Sequence, residues 1–246
     1  MYLWKCWRDA RLSLLIYFVP LLLAVVFLIR YAPVHVSSHF GSAENFVSAF
    51  MEPWTIFLGF VAWAIGGDGI GRTIGEDSGA YVLTRPRRRR FFLWSDVGFS
   101  FGLLTVIASM TVLLLELVLI LHLVNVSVAD PAMRFSLALV PLCCVVYAGL
   151  IYSTTYLCAL LVPTPNLARV VSLLVFLTYA LLHVLSERWF IYLHPFLPSW
   201  KVTAFPDPLT SIPPTGLWLS VGGRALAILL LLFVAHLVLE RREIRA

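Results

Sequence analysis

Leucine-rich apolar runs recur about every 30 to 45 residues along the chain, separated by short polar stretches. Several of them reach the roughly 20 residues that a helix needs to cross a bilayer. The runs are continuous rather than alternating, so they read as helices and exclude a β-barrel. Six spans are predicted, at about residues 12–29, 53–70, 97–124, 135–162, 169–185 and 217–239. The connections leave no room for a soluble domain of useful size, so residues 1–246 read as one transmembrane domain. The predicted fold class is an all-α polytopic membrane protein with six transmembrane helices. Pro20 inside the first span is tolerable in lipid, where neighbouring helices can satisfy the freed carbonyl.

Two flanking segments refine this pattern. The stretch YLWKCWRDAR sets Trp4 and Trp7 beside Lys5, Arg8 and Arg11, which suits an interfacial helix ahead of the first span. No small-x-small cleavage site follows the first run, so it reads as a retained span rather than a signal peptide. The outer connection at about 186–216 carries Trp189, Phe190, Trp200 and the prolines 195, 198, 206, 208, 213 and 214. Aromatics with prolines fit a segment that dips back to the interface as short broken helices, and they fit an ordinary folded loop equally well.

Composition agrees with the pattern. Hydrophobic residues make up 61% of the chain and charged residues 13%, with a mean hydropathy of +0.92. Soluble domains carry about 25% charged residues. The distribution of the 18 lysines and arginines fixes the orientation. With both termini inside, the cytoplasmic segments hold Lys5, Arg8, Arg11, Arg72, Arg85, Arg87, Arg88, Arg89, Arg90, Arg169, Arg241, Arg242 and Arg245. The outer segments hold only Arg30, Arg134, Arg188 and Lys201. This asymmetry is a positive-inside signal, and it accounts for the net charge of +5 without invoking nucleic acid.

Most of the inner charge lies in one segment, GGDGIGRTIGEDSGAYVLTRPRRRRFFLWSD, between the second and third spans. An arginine at the bilayer centre costs about 2.5–3.5 kcal/mol on insertion scales, so Arg87 to Arg90 stay outside the hydrocarbon. Pro86 suits a first helical turn, yet cations there oppose the helix macrodipole by roughly 0.3–1 kcal/mol each. Helix stability therefore disfavours these arginines, and another constraint favours them. Anchoring to the anionic inner leaflet, docking to a negatively charged cytoplasmic partner, and a lipid headgroup site all fit. Ile70, Ile74 and Tyr81 share one face at helical spacing, which predicts a short cytoplasmic helix in this loop.

The order Glu76-Asp77-Ser78-Gly79, Val82-Leu83, Pro86 and Arg89 resembles the loop between the second and third spans of ABC-2 type transporter permeases. There an acidic pair precedes a glycine, a leucine pair, a proline and a basic residue three positions on. This chain has Val82 at the first leucine position and Asp96 where the family often has lysine. The motif spans about 20 residues, whereas the six-span layout and the ERREI tail resemble the family along the whole chain. The resemblance implies an amphipathic helix before the first span and a re-entrant outer segment between the fifth and sixth. It also implies a membrane subunit without catalytic activity of its own, exporting a substrate across a bacterial cytoplasmic membrane. Two copies would pair with two P-loop ATPase subunits, which bind the ATP. Glu76, Asp77, Gly79, Leu83, Arg85, Pro86 and Arg89 would then form the ATPase-coupling segment, within residues 72–90.

Two further motifs carry less. Gly66 to Thr73 nearly spells a phosphate-binding loop, but a membrane span precedes it, Arg72 stands in place of lysine, and no α/β domain surrounds it. These glycines more simply permit close packing or a bend where the second span leaves the membrane. Asn125-Val126-Ser127 is a glycosylation sequon of a kind common by chance.

Inside the spans, Glu116 and Arg224 are costly charges and by default functional candidates. They could pair with each other or line a translocation path. Alternatively Arg224 snorkels to the outer interface while Glu116 is protonated or held by a neighbouring helix. Cys6, Cys143, Cys144 and Cys158 read as small apolar residues, and His122, His183 and His236 lack metal-ligand spacing. Two rivals to the permease reading follow from other classes. A secondary transporter driven by an ion gradient predicts internal repeats and interrupted helices, and the two halves of the chain do not match. A membrane-embedded enzyme predicts a constellation of catalytic side chains, and none occurs at usable spacing.

Overall fold

The computed structural model describes residues 43–68, 89–122, 131–162, 164–189 and 215–241, together with residues 11, 15, 18–20 and 23. Five long helices account for nearly all of them: α1 (Ala43–Asp68), α2 (Arg89–His122), α3 (Pro131–Leu161), α4 (Pro165–Trp189) and α5 (Thr215–Arg241). Residues 11, 15, 18–20 and 23 are helical too, and no strand occurs among the described residues. Three stretches are long and apolar enough to cross a membrane: Phe91–Leu114, Leu139–Leu161 and Val221–Arg241. Trp54–Gly67 and Asn166–Thr178 are shorter apolar helices of the same kind.

Each described helix coincides with a predicted span and starts before it. The segment α1 starts ten residues before the predicted 53, and α2 starts eight before the predicted 97. Hydropathy registers the hydrocarbon, whereas a helix continues into the headgroup layer as long as its backbone bonds stay satisfied. Local chemistry sets several ends. Pro131 and Pro165 occupy first helical positions, where the missing N–H is no loss. The Thr164 carbonyl accepts the Ala168 N–H at 3.0 Å, opening α4 two residues after α3 closes with Val162 N–H on the Cys158 carbonyl at 3.0 Å.

The central helix is α3, which touches each of the other four and is the most deeply buried. Its interior run Tyr152-Ser153-Thr154-Thr155-Tyr156 is buried throughout. The three hydroxyls bond back to their own helix: Ser153 to Gly149 O at 2.7 Å, Thr154 to Leu150 O at 2.9 Å, and Thr155 to Ile151 O at 2.8 Å. Around α3 gather Leu58, Ala62, Leu93, Leu104, Ile107 and Leu232, all buried. Phe101 of α2 meets Tyr152 edge-on, with ring centroids 5.6 Å apart at 85°. At the periphery, α5 exposes Leu219, Leu226, Leu229, Leu230 and Phe233, an apolar flank suited to lipid. Trp94 near the start of α2 and Trp218 near the start of α5 are half-exposed, as interfacial tryptophans are.

Close approaches fix the helix registers. A Cβ added at Gly59 would lie 3.0 Å from the Tyr147 hydroxyl and 3.0 Å from Ile151 Cδ1. One added at Gly66 would lie 2.9 Å from the Tyr152 carbonyl oxygen and 3.0 Å from Thr155 Cβ. Ascending numbers match ascending numbers, so α1 and α3 run parallel. The predicted role of Gly66 in close packing is thus met by a backbone-to-backbone approach. At Gly149 an added Cβ would meet Phe101 at 2.7 Å and Ile228 at 3.1 Å, which brings α2, α3 and α5 to one level.

Candidate functional site

Two regions bring together the residues singled out by charge. The first is intramembrane. The buried residues of α5 are Arg224, Ile228, Leu232, Ala235 and Leu239, a single stripe at helical spacing. Arg224 belongs to this protein-facing stripe and is 8% exposed, nine residues into α5. Its side chain therefore packs against protein at this level. Its guanidinium lies within electrostatic reach of Cys143 and Tyr147 on α3. One turn further on, Ile228 packs at Gly149, so α3 and α5 run parallel here, and Tyr147, Gly59 and Arg224 lie near one level.

Three helices therefore close around this point. From α1 come Thr55 and Gly59, from α3 Cys143, Cys144 and Tyr147, and from α5 Arg224. Thr55 hydrogen-bonds the Cys144 sulfur. Both cysteines are buried free thiols, as the sequence led one to expect. Tyr147 is 2% exposed, and its hydroxyl has no hydrogen-bond partner among the described residues.

Glu116 lies on α2, and its side chain is outside the described residues. The backbone register is informative all the same. Phe101 and Ile228 both meet Gly149. Helix rise then carries Glu116 roughly 22 Å from this level toward the His122 end of α2, and Arg224 only about 6 Å toward the Thr215 end of α5. About three helical turns separate them along the bundle, which favours separate roles over a direct pair.

The second region is the end of α1 from which the chain departs toward the charged loop. Trp63 Nε1 donates to Ser172 Oγ at 2.9 Å, and Ser172 Oγ donates to the Arg169 carbonyl at 2.9 Å. The Arg169 side chain lies across Gly67, where an added Cβ would come 3.1 Å from its Cγ. With Gly66 against α3, the last turns of α1 are held to both α3 and α4. Trp63 and Ser172 are 109 residues apart, and neither carried a sequence signal. Ser172→Ala is expected to weaken this joint by about 1 kcal/mol, the net worth of one hydrogen bond. A double-mutant cycle with Trp63→Phe, read by unfolding in detergent, would report the coupling, and additive effects would exclude it.

Of the proposed coupling residues, Glu76, Asp77, Gly79, Leu83, Arg85 and Pro86 lie outside the described residues. Arg89 opens α2, so Arg89 and Arg90 occupy its first turn, with no acidic residue there to offset the dipole. Asp96, at the position where the resembled family often has lysine, is buried at 7% exposure. His236 Nε2 approaches Glu240 Oε1 at 3.5 Å one turn on. Among the described residues, no three His, Cys, Asp or Glu side chains gather as a metal site. Comparisons with protein-family models, curated proteins and solved structures found no match.

Proposed function

We propose that the chain is the transmembrane subunit of an ATP-driven ABC exporter of the ABC-2 type. It has six spans, both termini in the cytoplasm, and a re-entrant outer segment between the fifth and sixth spans. Hydrolysis takes place in separate P-loop ATPase subunits, and two permease copies complete the assembly. The observation that carries this reading is the 69–88 connection, a glycine- and arginine-rich segment with the acidic–glycine–proline–arginine order, set between α1 and α2. A chain with this much apolar helix and so dense a polar handle is built to receive a push on one side. The joint of Trp63, Ser172 and Arg169 supports the mechanical part, because a displacement entering at Asp68 reaches α3 and α4 together. The second copy and the direction of transport rest on the resemblance alone. Arg224 and Glu116 stand as separate intramembrane charges, each a candidate for the translocation path.

The test is association with an ATPase. Co-purified with a candidate P-loop ATPase, the native chain should be retained. Glu76→Lys and Gly79→Trp should each lower that retention and the ATP-dependent activity at least tenfold. Equal retention and activity in both variants would remove the coupling role. Transport energised by a proton gradient without ATP would instead favour a secondary transporter.

A further inference from the structure

The consecutive glycines at the end of α1 divide their faces between two neighbours. Gly66 lies against the backbone of α3. Gly67 lies against Arg169 of α4, where an added Cβ would come 3.1 Å from its Cγ and 3.3 Å from its Nε. The arginine stem therefore runs along the bare backbone of the last turn of α1. That turn has an electrostatic requirement of its own. A helix ending at Asp68 leaves the carbonyls of Ile65 to Asp68 without partners in its own ladder, and they carry the negative end of the macrodipole. A basic side chain in the last turn commonly meets this need, and α1 has none there. The helix ends instead on an acid, which the same dipole disfavours. Arg169 brings a cation to this end from the adjacent helix. Its backbone is tied to α1 as well: the Ser172 hydroxyl donates to the Arg169 carbonyl at 2.9 Å, and Trp63 Nε1 donates to that same hydroxyl at 2.9 Å. The Arg169 side chain is partly buried, which limits screening of its charge. A guanidinium offers five donors in a planar fork, enough to serve more than one carbonyl.

We propose that Arg169 caps α1 from a neighbouring helix, holding the carbonyls of its last turn, and so fixes where the helix stops and the charged 69–88 connection begins. Gly67 is the seat that lets the guanidinium reach that end, a role that packing of Gly66 against α3 does not cover. The consequence for transport deepens the permease reading and rests on it. A push on the loop reaches α3 and α4 only while the last turn of α1 stays wound, which makes Arg169 a positioning residue for coupling.

The cap itself needs no ATPase and is read by hydrogen–deuterium exchange of the full chain in nanodiscs. Arg169→Met keeps a stem over Gly67 and removes the charge. The amides of residues 63–68 should then exchange about tenfold faster, within the range for a cation at a partly buried helix end. Arg169→Lys should recover most of that protection, because it restores a cation at the same place. Asp68→Asn should leave protection unchanged or raise it, because it takes an acid away from the negative end. Exchange around Tyr152 in α3 should match the parent in all three variants. Equal exchange of residues 63–68 in the parent and Arg169→Met would overturn the cap, and so would an equally large rise around Tyr152. A loss in Asp68→Asn as large as in Arg169→Met would also overturn it, by making the contact an ion pair between side chains. Co-purified with a candidate P-loop ATPase, Arg169→Met should be retained like the parent while ATP-dependent activity falls about threefold or more. Unchanged activity would overturn the positioning role. An absent exchange difference leaves ATPase association untouched, and absent association leaves the exchange result standing, so the two failures are distinguishable.

Discussion

Gly66→Val should cost the folded chain about 3 kcal/mol, at the upper end of what overpacking does. The reason is the nature of the obstacle. A Cβ at this position would lie 2.9 Å from the Tyr152 carbonyl oxygen and 3.0 Å from Thr155 Cβ. The oxygen belongs to the backbone of the most deeply buried helix and cannot rotate aside as a side chain does. α1 must instead withdraw from α3, and close backbone approach is what holds transmembrane helices together where lipid is as apolar as leucine. Gly98→Val on α2 supplies the control. Nothing lies within 4 Å of a Cβ there, and the position is exposed, so the same residue change should leave stability within a few tenths of a kcal/mol. Unfolding midpoints of both variants in one detergent decide the matter. Equal shifts would mean that generic helix effects, rather than the α1–α3 contact, control stability.

Tyr152→Ala should be as damaging or worse, at about 3–5 kcal/mol, the usual range for deleting a buried aromatic ring. Tyr152 is fully buried at the centre of the bundle. Its ring meets Phe101 edge-on at 5.6 Å and lies 5.5 Å from Tyr156 at a 32° tilt. A double-mutant cycle with Phe101→Ala isolates the ring pair, for which a coupling of about 0.5–1.5 kcal/mol is expected. Because Phe101 also fills the space beside Gly149, zero coupling would indicate that α2 repacks freely against α3.

These effects show where sequence reading reaches its limit. Continuous apolar runs announced five of the described helices, because length and hydrophobicity are properties of a segment alone. The helix starts were misplaced at Ala43 and Arg89 because turns beyond the hydrocarbon carry polar residues that hydropathy discounts. Asp96 read as loop and lies two turns inside α2, buried. Arg224 could be located as an intramembrane charge, but not on which face. The stripe that decides this, through Ile228, Leu232, Ala235 and Leu239, is diluted by leucines on every side of α5. A membrane helix that is apolar all round hides its own orientation. The link from Trp63 to Ser172 was invisible for a different reason: it joins residues 109 positions apart, and neither type of side chain is unusual in its helix. The loop order that carries the resemblance was legible in full, and all of it except Arg89 lies outside the described residues.

The hydroxyl row of α3 has a last consequence. By letter, Ser153, Thr154 and Thr155 are the most hydrophilic stretch in the heart of the bundle, the place where a wet pathway would first be sought. Each proton is already held by a carbonyl one turn back. Those three donors are spent on the backbone of their own helix, so the letters overstate what the row can give to anything passing alongside.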